Sequence, residues 1–506
     1  MTRKRVVSIT LGVMLSLFMA SMESTVVATA MPTIVSQLGG LESYSWVFSA
    51  YMLASTTTVP LFGKLSDLYG RRPVYAAALV LFLIGSLLCG EAQSIQQLII
   101  FRAVQGLGAG GLLPLAFIIV GDLFTFEQRA RIQGLFSGVW GVSSVVGPLL
   151  GGFLVDQFSW RWVFLINIIP GLMAGALVWL AWVDKAREPG VARPAVDYAG
   201  AGLLTAGIVT LLMGLFELGT PLGWALLGLT ALLFAALALI ERRAADPVLP
   251  LALFRDRMFA VACANGLLAG WSLFGSTAFV PLFVQAVLGT SATAAGATLT
   301  PLLLGWVGSS IVGGRLLLRM GYRTLALVGM GLLTLGTFLM SWIDSQSAQS
   351  TLIVDLALMG IGMGLTIPSF LIAVQSAVQR SALGTATSTL QFSRSIGGTL
   401  GVSVMGAALS VRLAAGLAAA GLNPATISVN ELLDPLARAG ASMTIEGALR
   451  DALANAIQGV FVIAFIAAAL GLAVTFLAPA GRIAQLAAQQ NQGMTESAGQ
   501  SFTPEG

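Results

Sequence analysis

Long apolar runs alternate with short polar connections along the whole chain. Fourteen runs are long enough to cross about 30 Å of hydrocarbon: near 7–31, 45–62, 74–90, 97–120, 132–155, 163–183, 198–218, 222–240, 259–286, 297–317, 324–342, 352–377, 385–411 and 455–478. Backbone N–H and C=O groups in lipid must be satisfied within their own segment, so each run predicts a helix. One of them holds Gly138, Gly141, Gly147, Pro148, Gly151 and Gly152. In water each interior Gly costs a helix about 1 kcal/mol and Pro about 3 kcal/mol relative to Ala. In lipid such residues are tolerated where neighbouring helices pack on the bared backbone, and Gly147 to Gly151 is the spacing of small residues that permits close helix contact. This run therefore predicts a bendable helix with a smooth face, although ordinary tight packing would use the same glycines.

The pattern repeats. Gly63-Lys-Leu-Ser-Asp-Leu-Tyr-Gly70-Arg71-Arg72 aligns with Gly314 to Arg323. Gly106, Gly108, Gly110 and Pro114 align with Gly360, Gly362, Gly364 and Pro368, and Gly134, Gly147 and Gly151 align with Gly384, Gly397 and Gly401. The offsets are 251, 254 and 250 residues, so two copies run in the same order and orientation. The predicted fold is all-α and polytopic, with two six-helix bundles in parallel repeat and two inserted helices. Expected divisions are 1–190 for the first bundle, 191–250 for the insert, 251–480 for the second bundle with an external, Ala-rich loop at 413–455, and a disordered cytoplasmic tail at 481–506. The copies differ where chemistry is expected: Asp67 aligns with Leu318, Arg102 with Leu356 and Ser144 with Arg394.

Composition narrows the class. The 506 residues are 57% hydrophobic and 9% charged, with a mean hydropathy of +0.89, which excludes a soluble protein. Twenty of the 26 Lys and Arg fall in alternate connections beginning with Arg3, Lys4 and Arg5, so both termini are expected in the cytoplasm. The net charge of +4 reflects that bias rather than a nucleic-acid surface. The N-terminal residues imitate a signal peptide, with Ala28-Thr-Ala30 as a cleavage site, but the length of the run, its Glu23 and the next span favour an uncleaved first helix. Cys89 and Cys263 both lie inside spans, suggesting neither a disulfide nor a metal site. Histidine is absent, so any proton coupling must use carboxylates.

Four motifs resemble those of the fourteen-helix drug:proton antiporters of the major facilitator superfamily. They are Gly63 to Arg72 between helices 2 and 3, Arg102-Ala-Val-Gln105-Gly106-Leu-Gly108 on helix 4, the Gly147-Pro148-Leu-Leu-Gly151-Gly152 stretch on helix 5, and Met22-Glu23 through Pro32 on helix 1. Trp160 through Asn167 to Pro170 adds a signature of this subgroup. The resemblance spans roughly 7–480. It implies proton coupling through Glu23, where the family usually has Asp, and Arg102. It implies a conformational latch built from Gly63, Asp67, Gly70, Arg71 and Arg72, and an antiporter motif at Gly138, Gly147, Pro148, Gly151 and Gly152.

Plainer readings stand beside these. Glu23 could be a structural carboxylate held by Ser21, Ser24 and Thr25. Arg102 could pair with helix ends or reach the external surface, and Asp67 with its arginines could be a polar turn. Trp46, Tyr51, Phe136 and Trp140 are candidate cavity aromatics for lipophilic cations, with Gln105 a polar neighbour. Arg394 lies inside a span and matches no motif. Glu217 and Asp355, near span ends, are expected to be solvated.

The expected function is export of lipophilic, cationic drugs or toxic compounds in exchange for protons, by alternating access at a bacterial cytoplasmic membrane. The expected partners are a small lipophilic substrate, protons and membrane lipids, with no nucleic acid; a periplasmic adaptor is left open. No cofactor, metal or catalytic residue is expected. The rivals are a same-fold exporter of one metabolite, lipid or peptide and, more remotely, a membrane receptor or enzyme. No P-loop or sizeable soluble domain supports the last.

Overall fold

The computed structural model describes residues 2–124, 126–182, 198–217, 220–241, 251–317, 319–378, 383–421 and 443–481. Each apolar run forms a helix, and no strand occurs among the described residues. The first bundle holds α1 (Arg3–Leu38), α2 (Tyr44–Tyr69), α3 (Arg71–Glu91), α4 (Ile95–Leu123), α5 (Phe126–Gln157), the single turn α6 (Trp162–Leu165) and α7 (Ile168–Ala181). The inserted pair is α8 (Tyr198–Phe216) and α9 (Pro221–Glu241). The second bundle holds α10 (Arg257–Leu282), which continues as a π turn over Phe283–Val287, then α11 (Ala292–Leu316), α12 (Tyr322–Met340), α13 (Gln349–Ala377), α14 (Leu383–Ala419) and α15 (Met443–Phe476).

Among the described residues, eleven stretches are long and apolar enough to cross a membrane, so the expected fourteen are not reached by that measure. That measure runs over described residues only, and α8 is represented in it by the shorter stretch Ala199–Leu215. α2 and α5 pack against the other bundle, α2 on α14 and α5 on α11. The polar stretch expected from 413 is partly helical: α14 runs on to Ala419 and α15 starts at Met443, with Gly416 set against Ala452. The expected divisions at 190 and 250, the rest of that loop (422–442) and the tail from 482 lie outside the described residues.

Helix pairs recur between the copies. α2 packs on α4 as α11 does on α13, α3 on α4 as α12 on α13, α1 on α5 as α10 on α14, and α5 on α11 as α14 on α2. The match extends to single contacts. Gly106 rests on the Tyr51 backbone and Gly360 on that of Leu302, while Gly108 rests on Phe82 and Gly362 on Leu333. Each partner is displaced by the same 251 residues. At these sites an added Cβ would meet main chain, so only glycine permits the approach. Gly70, with φ 93°, makes the sharp break between α2 and α3 that a side chain would resist.

The α5 glycines form two faces rather than one. Gly147 and Gly151 bed on Met22, Thr25, Val26 and Thr29 of α1, in the same bundle. One residue further round, Gly152 meets Ala292 and Thr293 of α11, and the Pro148 carbonyl lies at Gly296 of α11. Gly138 has nothing within 4 Å of a Cβ position. Hydrogen bonds tie the bundles at the same end. Asp156 of α5 accepts from Ala292 N at 3.3 Å, Thr293 N at 2.9 Å and Thr293 Oγ1 at 2.5 Å, capping α11 from outside its own bundle. Tyr44 Oη donates to Ala278 O at 2.7 Å, Gln285 Nε2 to Thr29 O at 3.0 Å, and the hydroxyls of Ser49 and Ser403 lie 2.5 Å apart. The molecule is closed at the end that carries the α1–α2 and α5–α6 connections.

Gly152→Val should wedge α5 away from the α11 backbone, costing roughly 1–3 kcal/mol as overpacking does, whereas Gly138→Ala should be silent. Thermal unfolding of the purified protein in detergent checks this; equal midpoints for the two variants would refute the close contact.

Candidate functional site

Glu23 lies midway along α1 and Arg102 two turns into α4, each on a face turned to the bundle interior. Glu23 is 1% and Arg102 0% exposed, a burial that costs charged groups several kcal/mol each unless they are paired. They pair directly, with Arg102 Nη1 donating to Glu23 Oε1 at 2.6 Å. The second carboxylate oxygen, Oε2, accepts from Asn167 Nδ2 at 2.7 Å. Arg102 also donates from Nη1 to Gln105 Oε1 at 2.6 Å and from Nε to Val47 O at 3.3 Å. Gln105 passes the chain on, donating from Nε2 to Ser86 Oγ at 2.7 Å, and the Cys89 thiol lies 3.9 Å from its Oε1. The guanidinium sits 4.1 Å from the Tyr51 ring centroid and 5.8 Å from that of Phe164, so its faces are covered by π electrons. Five elements thus meet at one charged centre: α1, α2, α3, α4 and the α6–α7 junction.

Two of the hydroxyls that could have held Glu23 bond within α1 instead. Ser21 Oγ donates to Phe18 O at 3.0 Å and Thr25 Oγ1 to Met22 O at 2.8 Å, both within α1; the Ser24 side chain lies outside the described set. Nor does Arg102 reach a helix end or the surface. Two atoms of the network keep unused capacity, Arg102 Nη2 and Asn167 Oδ1. Asn167 and Ser86 carried no role in the sequence reading. An Asn within the apolar run Trp162 to Pro170 was the available signal, since a buried amide requires partners.

The other expected site residues scatter. Tyr51 and Gln105 belong to the charged network. Trp46 packs beside Leu53, Leu204 and Ile208 on the α2–α8 contact, and Phe136 is buried in the first bundle's core. Gly63 lies within α2, while its surroundings and the side chains of Asp67 and Trp140 lie outside the described set. Arg71 Nη1 donates to Ser66 Oγ at 2.7 Å, and the Arg72 guanidinium lies 3.9 Å over the Trp179 ring. A cavity of about 480 Å³ opens between α1, α5 and α6–α7, lined by apolar side chains that include Met22, Leu154, Trp162 and Ile166. It contains none of the expected aromatics, yet Met22 and Ile166 adjoin Glu23 and Asn167 in sequence. Asp355, expected to be solvated, is buried with Oδ2 unpartnered, because the first turns of α13 are covered by neighbouring helices.

Among the described residues, the second bundle shows no such centre. Gly397 and Gly401 of α14 rest on Leu267 and Trp271 of α10 as Gly147 and Gly151 rest on Met22 and Val26. This sets Leu268 at the position of Glu23, while Leu356 and Met359 stand for Arg102 and Gln105. Both Leu356 and Met359 are fully buried. The same packing is therefore built with apolar side chains.

Duplicated helical bundles in a multi-pass membrane chain, with charge sealed inside one of them, define a membrane transporter rather than an enzyme. The chain belongs to the Major Facilitator Superfamily, whose family model matches residues 13–402. It is 39% identical over 415 residues to the multidrug transporter protein MdtP of Bacillus subtilis (strain 168), covering 81% of this chain and 76% of that one. It is 39% identical over 404 residues to multidrug resistance protein 3 of the same organism, with 79% and 78% covered. Efflux pump dotC of Dothistroma septosporum is 32% identical over 404 residues, with 78% and 69% covered. Among solved structures, a bacterial homolog to the human lysosomal transporter Spinster, inward-facing and occupied, superposes with a TM-score of 0.68 at 17% identity, covering 94% of this chain and 97% of that one. At that identity the likeness is one of fold.

Glu23→Leu or Arg102→Leu alone strands a buried charge and should cost about 3–5 kcal/mol, whereas the double variant should cost clearly less than the two together. Thermal unfolding in detergent checks it; strictly additive losses would mean the two side chains are not coupled.

Proposed function

We propose that this transporter exports lipophilic compounds in exchange for protons, and that the Glu23–Arg102 pair is where the proton acts. The supporting observation is asymmetry: the duplicate bundle folds with Leu268, Leu356 and Met359 at the equivalent positions, so the charged centre is not an architectural necessity. Intramembrane charges that packing does not require are functional by default. The printed names of its relatives, multidrug transporters and efflux pumps, support drugs or toxic compounds as substrates.

A proton arriving at a Glu23 carboxylate oxygen would neutralise it and remove the charge that Arg102 faces. Arg102 then keeps Gln105, the Val47 carbonyl and the Tyr51 ring. Val47 and Tyr51 flank Ser49 on α2, and Ser49 bonds Ser403 across the bundle interface. Protonation is thereby coupled to the helix that touches the other half, as rocking of two repeats about a central site requires. The groups facing the pair are Asn167, Gln105, Ser86, Cys89, Tyr51 and Phe164, none of which supplies a competing negative charge near neutral pH. The expectation of cationic substrates has weaker support, because both Glu23 oxygens are taken by neighbours.

The positive-inside pattern supports cytoplasmic termini, and the bacterial relatives support a bacterial cytoplasmic membrane. The closed end is then external, and the described state is the inward-facing one. Gly63, Asp67, Gly70, Arg71 and Arg72 form the inner latch of the outward-facing state; here Arg71 and Arg72 engage Ser66 and Trp179 of their own bundle. Gly138, Gly147, Pro148, Gly151 and Gly152 make α5 the sliding element between α1 and α11.

Efflux of a lipophilic dye from cells should collapse with an uncoupler in the wild type. In Glu23→Gln, gradient-driven efflux should fall to the uncoupled level; efflux that keeps its gradient dependence would overturn the role of Glu23. Asp67→Asn should slow efflux at unchanged expression, and a wild-type rate would dismiss the latch.

A further inference from the structure

The second bundle departs from its copy in the opposite sense, carrying a cation with no counter-charge. Arg394 lies within the apolar stretch of α14, where the first copy has Ser144, and Trp306 of α11 stands where that copy has Ser55. The Arg394 side chain is bedded on Gly270 of α10, its Cγ 3.2 Å from where a Cβ would stand. Its guanidinium carbon lies 5.9 Å from the Trp306 ring centroid. Nε is buried without a hydrogen bond, and Arg394 makes no ion pair among the described residues. One residue from Gly270, the indole N–H of Trp271 is also buried and unpartnered, on the α10 face that meets Gly401 of α14.

Both unused groups are donors and neither can accept. A guanidinium inside a membrane is costly without an anion or water, and a buried unmade hydrogen bond adds to the cost. Arg394 and Trp306 are each only partly buried, so neither residue is fully enclosed by protein. An oxyanion at Arg394 would receive a forked, charge-assisted pair of hydrogen bonds, and the Trp306 ring would cover an apolar body beside it.

We propose that Arg394, with the Trp306 ring beside it, recognises the oxyanion of an amphiphile, a carboxylate or phosphate carried on an apolar body. The transported compounds then include anionic and zwitterionic amphiphiles, which Glu23, enclosed by Arg102 and Asn167, does not exclude by repulsion. Their transport rests on the exporter reading above, whereas their binding is measured without any gradient and fails separately from it.

The test is direct binding to the purified full-length protein in neutral phosphatidylcholine nanodiscs, using dodecanoate, its methyl ester and dodecyltrimethylammonium. Dodecanoate should bind about tenfold or more tightly than the ester, the worth of a charge-assisted hydrogen bond. Arg394→Gln should erase that preference, Arg394→Lys should keep part of it, and the cation should respond to neither. Competition by added phosphatidylglycerol would make a lipid headgroup the occupant of the same site; its failure would leave the free amphiphile. Equal binding of acid and ester by the wild type, or an undiminished preference in an Arg394→Gln protein that melts like wild type, would overturn the proposal. Should Arg394→Gln fail to fold, the wild-type acid-to-ester ratio still decides.

Discussion

Helices in a bilayer gain nothing by exchanging lipid tails for leucine side chains, so this fold depends on how closely its helix backbones can approach. Glycine sets that distance. Gly106 on Tyr51 and Gly360 on Leu302 bring main chains into contact at equivalent places in the two bundles. The same device joins the bundles, through Gly152 against Thr293 and Gly296 against Pro148. Backbone-to-backbone contact carries no bulky knob that must unlock before a helix shifts, which suits surfaces that move.

Against this shared frame, charge is distributed unevenly. The first bundle seals Glu23 and Arg102 together, with Asn167, Gln105 and Ser86 satisfying most of what the pair leaves over. The second bundle fills the equivalent volume with Leu356 and Met359 and holds its cation, Arg394, elsewhere. Two copies of one architecture have been given different electrostatic work, one closed and compensated, the other with a cation that has no counter-charge among the described residues. The Val47 carbonyl and Tyr51 ring bind the compensated centre to α2, and Ser49 carries that helix to α14. The charged centre and the bundle interface therefore occupy opposite faces of one helix.

The sequence by itself determined the membrane class, the helical runs, the duplication and the family, because these follow from hydropathy, from lipid's refusal of unpaired backbone groups and from glycines at fixed offsets. It also marked Glu23 and Arg102, since an intramembrane charge is conspicuous wherever its side chain points. What it could not show was that the two face each other from 79 residues apart, or that Asn167 completes the carboxylate. A partner is fixed by which faces of α1, α4 and the α6–α7 junction converge, and periodicity within one helix is silent on that. For the same reason the α5 glycines read as a single smooth face until α1 and α11 were seen on either side. Tertiary structure alone decided that Tyr51 and Gln105 serve the ion pair, that Asp355 is buried, and that Asp156 caps a helix of the other bundle, because each depends on a neighbour distant in the chain.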